Sequence, residues 1–344
     1  MHIGILTGGG DAPGLNALIR GLVLAGIKRY EYEFLGFLDG WSGPIENRAV
    51  PLNVDSVRGR YAEGGTMLGS SRTNPLKEPQ SIDKVKANLQ ANNIDVLVAI
   101  GGDDTLGVAA KLAEMGVKTI GVPKTIDNDL SATDVTPGFD TAVVIATEAV
   151  DRLHTTARSH HRALVVEVMG RHSGWIALHA GIAGGADYTM LPEQETDLAD
   201  LCAAVEHEYG EGRKNYAIVV VSEGAKLAGQ EELILQDESR DAFGHVKLGG
   251  IGKLVAKLIE NETGIECRSV ILGHTQRGGV PSAGDRVLST RYGVFAADMI
   301  NQGQFGQMAA LRGNRIVAVP LSEATRETKT VGPEWFPVLD ILKA

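Results

Sequence analysis

Residues 94–105 read Ile94-Asp95-Val96-Leu97-Val98-Ala99-Ile100-Gly101-Gly102-Asp103-Asp104-Thr105. From Val96 to Ile100 every position is apolar, with no polar alternation, so both faces of the segment must be covered. That is how an inner strand of a parallel sheet reads. A glycine pair ends the run, and helical periodicity follows over about 105–115. The pattern recurs along the chain. Residues 2–7 lead into a glycine turn and a helical segment at 15–25, and 117–122 end at Pro123. Residues 163–169 lead into Gly170-Arg171 and a helix over about 173–183. Residues 216–222 stop at Glu223-Gly224, and 269–273 stop at His274. Alternating strands and helices of this kind predict an α/β fold of doubly wound, mainly parallel sheets.

The chain has 344 residues, enough for two ordinary domains or one large body. Its 33 basic residues against 43 acidic ones give a net charge of −10. This argues against a nucleic acid or an anionic membrane as partner, since both favour a basic face. An anionic ligand must be held by locally placed cations and backbone N–H groups. Hydrophobic content of 43% with 22% charged residues is that of a folded protein. Glycine, at 43 residues, runs well above the usual share of about 7% and points to many tight turns. Two cysteines, Cys202 and Cys267, cannot build a disulfide framework or a zinc cage and are expected in the core. No apolar run approaches the roughly 20 residues that cross a bilayer, and no leader precedes the first strand, so a cytoplasmic location is expected. No low-complexity tract, heptad pattern, repeat or Pro/Ser-rich linker is present, and 224–248 reads as a surface insertion.

In open α/β sheets ligands sit beyond the carboxyl ends of the strands, and here those ends are crowded with polar groups. Thr7-Gly8-Gly9-Gly10-Asp11-Ala12-Pro13-Gly14 lets backbone N–H groups approach an anion at a helix start, although it can equally be a structural turn. Arg72, in Leu68-Gly69-Ser70-Ser71-Arg72, pairs glycine with a cation. Gly101-Gly102-Asp103-Asp104-Thr105 can hold a magnesium ion between phosphate oxygens, or simply cap a helix with an Asp. In Pro123-Lys124-Thr125-Ile126-Asp127-Asn128-Asp129 the two carboxylates fall on one side if the segment is extended. One of them could take a proton from a hydroxyl, while Lys124 and Thr125 meet phosphate oxygens. Arg162, Arg171, Arg268 and His274-Thr275-Gln276-Arg277 form a cationic set suited to a sugar-phosphate dianion. The neighbours His160 and His161 have no metal-ligand spacing.

These sets, in this order, resemble the phosphofructokinase family over nearly the whole chain. The shared motifs are T-x-G-G-D-A-P-G-x-N at Thr7 to Asn16, G-G-[DE]-x-[ST], T-I-D-N-D, V-E-V-M-G-R, and G-H-x-Q-R-G-G ending at Gly279. The resemblance implies two Rossmann-like domains with the active site in the cleft between them. A phosphoryl-donor domain would comprise 1–138 and 276–326, and a sugar-phosphate domain 139–275 and 327–344. It implies Asp127 as general base toward the 1-hydroxyl of fructose 6-phosphate, with Thr125, Asp129 and Arg171 assisting the transfer. Asp103 would hold Mg2+. Gly10, Arg72, Asp104 and Lys124 would serve the donor. Met169, Gly170, Arg171 and Glu223 would line the sugar. His274 and Arg277 would bind its 6-phosphate together with Arg162 and Arg268 of a neighbouring subunit, which makes a homodimer or homotetramer with shared sites.

Asp104 decides the donor implied by the resemblance. ATP users of the family usually carry glycine there, whereas pyrophosphate users resemble this chain at Asp104 and Lys124. A carboxylate about 4 Å from a nucleotide α-phosphate costs roughly 4 kcal/mol per charge pair at an effective dielectric near 20. Pyrophosphate is therefore the expected donor, in a reversible, glycolytic reaction, with an ATP-dependent enzyme as the alternative. Where bacterial relatives carry regulatory arginines, Arg20 is kept but Leu24 and His154 stand, so little response to ADP or phosphoenolpyruvate is expected. The NAD and lipid kinases share only a G-G-D-G-T turn. A non-catalytic sugar-phosphate sensor would be expected to lack Asp127 and Asp103, which are both present.

Overall fold

The computed structural model describes residues 1–229 and 250–343; of the expected insertion at 224–248, the part from 230 on lies outside the described residues. The chain divides into two compact units, Met1–Thr141 with Arg277–Thr328, and Ala142–Gln276 with Lys329–Ala344.

Eleven strands occur among the described residues: β1 (His2–Thr7), β2 (Glu33–Phe37), β3 (Ala49–Leu52), β4 (Val96–Gly101), β5 (Thr119–Pro123), β6 (Ala163–Val168), β7 (Tyr188–Met190), β8 (Ala217–Ser222), β9 (Cys267–Ile271), β10 (Gln307–Arg312) and β11 (Arg315–Pro320). The first unit holds a seven-stranded sheet of order β11-β10-β5-β4-β1-β2-β3. Its inner strands are parallel, and each edge is closed by an antiparallel neighbour, β3 on β2 and β11 on β10. Both faces are covered, as the unbroken apolar runs require. Ile3, Ile5, Val98 and Ile100 pack with Leu15, Leu18 and Leu22 of helix Leu15–Tyr30 and with Tyr292 and Ala296 of helix Ala283–Asn301. Leu6, Leu97 and Ala99 face the other way, onto Val85 and Leu89 of helix Pro79–Ala91 and Leu106 and Leu112 of helix Asp103–Glu114.

The second unit holds an all-parallel sheet of order β7-β8-β6-β9. Val165, Val219 and Val221 of its strands pack on Val255 and Ile259 of helix Ile251–Thr263 and on Leu201 and Val205 of helix Leu198–His207. Cys202 and Cys267 are free thiols buried in this core. In the first sheet the chain leaves β1 toward β2 and later returns on the other side as β4, so its switch point lies between β1 and β4. In the second sheet the corresponding point lies between β6 and β9. Doubly wound sheets bind ligands beyond the carboxyl ends of their strands at such points.

Several elements depart from expectation. The helix expected at 173–183 begins at Trp175, and the last parallel strand runs Cys267–Ile271 rather than 269–273. The antiparallel edges formed by β3 and the β10–β11 pair are additional to the expected strands; β10 and β11 are joined through Gly313-Asn314 with Gly313 at φ 56°. No helix among the described residues is long and apolar enough to cross a membrane.

Candidate active site

The glycine turn leaves β1 at the first switch point. Gly8 N–H donates to the Ile100 carbonyl of β4 (2.9 Å), and Gly9 N–H to Ser71 (3.2 Å). Ser70 Oγ donates to the Gly9 carbonyl (2.5 Å). Segment 70–73 is thus fixed against the turn, which brings the exposed Arg72 beside it. Gly9 adopts φ 77°, a left-handed conformation that a side chain disfavours. A Cβ on Gly10 would meet the Arg277 guanidinium, and Arg277 Nη1 donates to the Asp11 carbonyl (3.2 Å). Arg277 therefore lies against the glycine turn, within the first unit.

Lys124 is only 2% exposed. Its Nζ donates to the carbonyl of Gly8 (2.9 Å) and to that of Gly10. Burial, and then the Arg277 charge, pull its ammonium down to about 8, against the pull of Asp11, Asp127 and Asp129. Two of the three ammonium donors point at the turn's own carbonyls, so the side chain fastens the turn from behind.

Residues 125–129 form a turn, which corrects the expected extended segment. Thr125 Oγ1 accepts from Asp127 N–H (3.1 Å), and Asn128 sits at φ 52°, where a short polar side chain is tolerated. Asn128 Oδ1 accepts from Thr136 N–H (3.1 Å), and Thr136 Oγ1 donates to the Thr125 carbonyl (2.7 Å). The Asp127 and Asp129 carboxylates are still near enough to repel each other. Burial first, then the charges of Asp127 and Asp103, push Asp129 up to about 7. Asp103 and Asp104 are exposed in the first turn of helix Asp103–Glu114. Gly102, without a side-chain bond, is the N-cap, so the alternative of an Asp cap does not hold.

Among the described residues, no group of three or more His, Cys, Asp or Glu side chains is disposed to hold a metal ion by itself. Asp103, Asp127 and Asp129 nevertheless lie near enough to one another that, after burial, their like charges add to the raised Asp129, and a dication would relieve that repulsion. Magnesium bound by one or two carboxylates, with phosphate oxygens and water completing its shell, fits this donor set.

In the second unit, the second switch point gathers Met169, Gly170 and Arg171 after β6 and His274 after β9, with Glu223 after the neighbouring β8. Met169 N–H donates to Gln276 Oε1 (3.4 Å), and Glu223 N–H to the Val168 carbonyl (2.9 Å). Gly170 has φ 135°, and a Cβ there would lie 2.6 Å from the Ser173 carbonyl and 2.7 Å from Ser222 Oγ. Only glycine suits the corner. Ser222 Oγ donates to the Gly170 carbonyl (2.6 Å).

Arg162 and Arg268 are not brought to this set. They flank the starts of β6 and β9, while Met169–Arg171 follow the end of β6. The six residues of β6 alone put roughly 20 Å between them.

Three supporting residues were not anticipated. Asp285, fully buried, accepts from Gly138 N–H, Thr141 N–H and Thr141 Oγ1, although burial still raises its carboxyl. Glu167, within V-E-V-M-G-R, caps helix Ile251–Thr263 by accepting from Gly252 N–H (2.8 Å). Glu193 accepts from Gly174 N–H and Val331 N–H, each at 2.9 Å. An acid inside or beside an apolar run was the available signal for Glu167; the other two have no local one.

Residues 2–300 match the phosphofructokinase family. The pyrophosphate–fructose 6-phosphate 1-phosphotransferase of Streptomyces coelicolor is 58% identical over 338 residues, 98% of each chain. The ATP-dependent 6-phosphofructokinase of Mycobacterium bovis is 49% identical over 332 residues, 96% of each chain. Among solved structures, Pichia pastoris phosphofructokinase in its T-state superposes with a TM-score of 0.83 at 32% identity, over 94% of this chain and 35% of that longer one.

Proposed function

The chain belongs to the phosphofructokinase family and is a phosphotransferase, and on that premise we propose that it moves a phosphoryl group reversibly between pyrophosphate and the 1-hydroxyl of fructose 6-phosphate. One observation carries the choice of donor: Asp104 is exposed at the first turn of the helix leaving β4, beside the switch point, where it would repel the α-phosphate of a nucleotide. The relative named for pyrophosphate is also closer, at 58%, than the one named for ATP, at 49%.

In this reading Gly10 and Arg72 hold the donor, and Lys124 keeps the glycine turn in shape behind it. Asp127 takes the proton of the 1-hydroxyl. The freed oxygen attacks the terminal phosphorus, the bridging P–O bond breaks, and phosphate leaves with the electron pair. Thr125, Asp129 and Arg171 orient and neutralise the moving phosphoryl group, since such transfers depend mostly on positioning and charge. Mg2+ at Asp103 would screen the phosphate charge. Met169, Gly170, Arg171 and Glu223 line the sugar. His274 and Arg277 meet its 6-phosphate, joined by Arg162 and Arg268 of a neighbouring subunit. The strand-length separation of those two arginines from Met169–Arg171 within one chain supports a site completed by a second copy, in a homodimer or homotetramer. We assign the donor role to the first unit and the sugar role to the second, with the enzyme acting in cytoplasmic glycolysis.

The test runs the reaction backward. With Mg2+, fructose 1,6-bisphosphate and inorganic phosphate should yield fructose 6-phosphate and pyrophosphate. Absence of pyrophosphate formation would overturn this reading.

A further inference from the structure

Glu266, Arg162 and Arg268 form one charged cluster at the amino ends of β6 and β9. Ala163 pairs with Cys267 in the ladder, and Ala163 N–H donates to the Glu266 carbonyl (3.0 Å), so the backbone fixes their spacing. Cys267 is buried, and successive side chains of a strand point to opposite faces, which leaves Glu266 and Arg268 on the same outer side. The Glu266 carboxylate meets both arginines: Oε2 lies 2.9 Å from Arg162 Nε as a charge contact without hydrogen-bond geometry, and Oε1 accepts from Arg268 Nη2 at 2.8 Å. Arg268 Nη1 additionally donates to the Cys267 carbonyl (3.0 Å) and lies 3.7 Å from Glu260. Arg162 is thus held beside Glu266 by charge, and its guanidinium keeps N–H donors for a phosphate.

We infer that Glu266 is a positioning residue for sugar-phosphate recognition, holding the two guanidiniums together so that they meet the 6-phosphate as a preformed pair. The inference rests on the reading above that Arg162 and Arg268 bind that phosphate. A long arginine side chain loses considerable rotamer freedom on binding a ligand, and ordering it beforehand removes that cost. Bidentate geometry makes the benefit specific to a phosphate. Glu266 touches no reacting atom in this scheme and leaves the chemical step alone.

The experiment is a fructose 6-phosphate titration at saturating pyrophosphate and Mg2+, with wild type, Glu266→Gln, the pair Arg162→Ala/Arg268→Ala, and the triple variant. Glu266 is partly exposed, and glutamine keeps its shape. Glu266→Gln should raise KM for fructose 6-phosphate about tenfold, with kcat and the pyrophosphate KM within about twofold of wild type. In the arginine-free background it should add nothing. A Glu266→Gln KM that is unchanged or lower, or a rise that persists in the triple variant, would overturn the inference. An Arg162→Ala/Arg268→Ala pair with wild-type KM would instead sink the assignment of the arginines to the phosphate.

Discussion

Lys124 donates its buried ammonium to the Gly8 carbonyl at 2.9 Å, and reaches the Gly10 carbonyl with a second proton. A lysine that the sequence reading sets among the donor's phosphate oxygens also braces, in the fold, the carbonyls of the glycine turn.

Its loss of charge should therefore be visible in catalysis. The folded side chain titrates at about 8, well below its ordinary 10.5, because burial and Arg277 disfavour the charged form. The ammonium is intact below about pH 8 and is lost as pH rises through it. Wild-type kcat/KM for pyrophosphate should fall across that range. Lys124→Met should lower it by about tenfold at pH 7, as hydrogen bonds from a charged group are lost, and flatten the profile. A Lys124→Met profile that keeps the same inflection near pH 8 would contradict the brace.

Asp129 offers a separate test by stability. Its folded titration near 7 stands above the ordinary 3.8, owing first to burial and then to Asp127 and Asp103. A raised carboxyl contributes stability that is full below the ordinary value and is lost as pH rises toward the folded one. Asp129→Asn should therefore gain on wild type in Tm as pH goes from about 4 to 8, by roughly a few degrees at the upper end. Thermal unfolding across that range measures it, and a difference independent of pH would contradict the like-charge cluster.

Much of this was legible in the residues. Val96–Ile100 and Ile218–Val221 announce inner parallel strands because no polar side chain interrupts them, and the glycines that follow mark the strand ends. What stayed hidden was direction and pairing. Whether Lys124 faces the ligand or the turn depends on a carbonyl more than a hundred residues away in sequence. Asp285 joins Thr141 across a similar span, which no local pattern encodes. The 125–129 segment bends where Asn128 takes a left-handed conformation secured by Thr136, eight residues on, a choice that composition leaves open. The antiparallel edges went unread since β3 has only four residues and β11, although as long as the inner strands, is partly exposed along most of its length.

The proposed sharing of sites between copies gives a third expectation. Asp127→Asn should lose roughly 10²–10⁴-fold in kcat, as the base is removed. Arg162→Ala should be nearly inactive at low fructose 6-phosphate. Mixed and allowed to exchange subunits, the two should recover up to about a quarter of wild-type activity in a dimer, since half the pairs are hybrids with one intact site. Activity no greater than the sum of the two variants would argue for sites completed within one chain.

The choice of phosphoryl donor is settled most directly by kcat/KM for pyrophosphate against ATP, measured in the same coupled assay with fructose 6-phosphate and Mg2+, for wild type and Asp104→Gly. The account predicts a wild-type ratio well above ten in favour of pyrophosphate, as expected of roughly 2 kcal/mol or more of charge repulsion, and a gain in ATP use when the carboxylate is removed. A wild type that uses ATP as well as or better than pyrophosphate would contradict it.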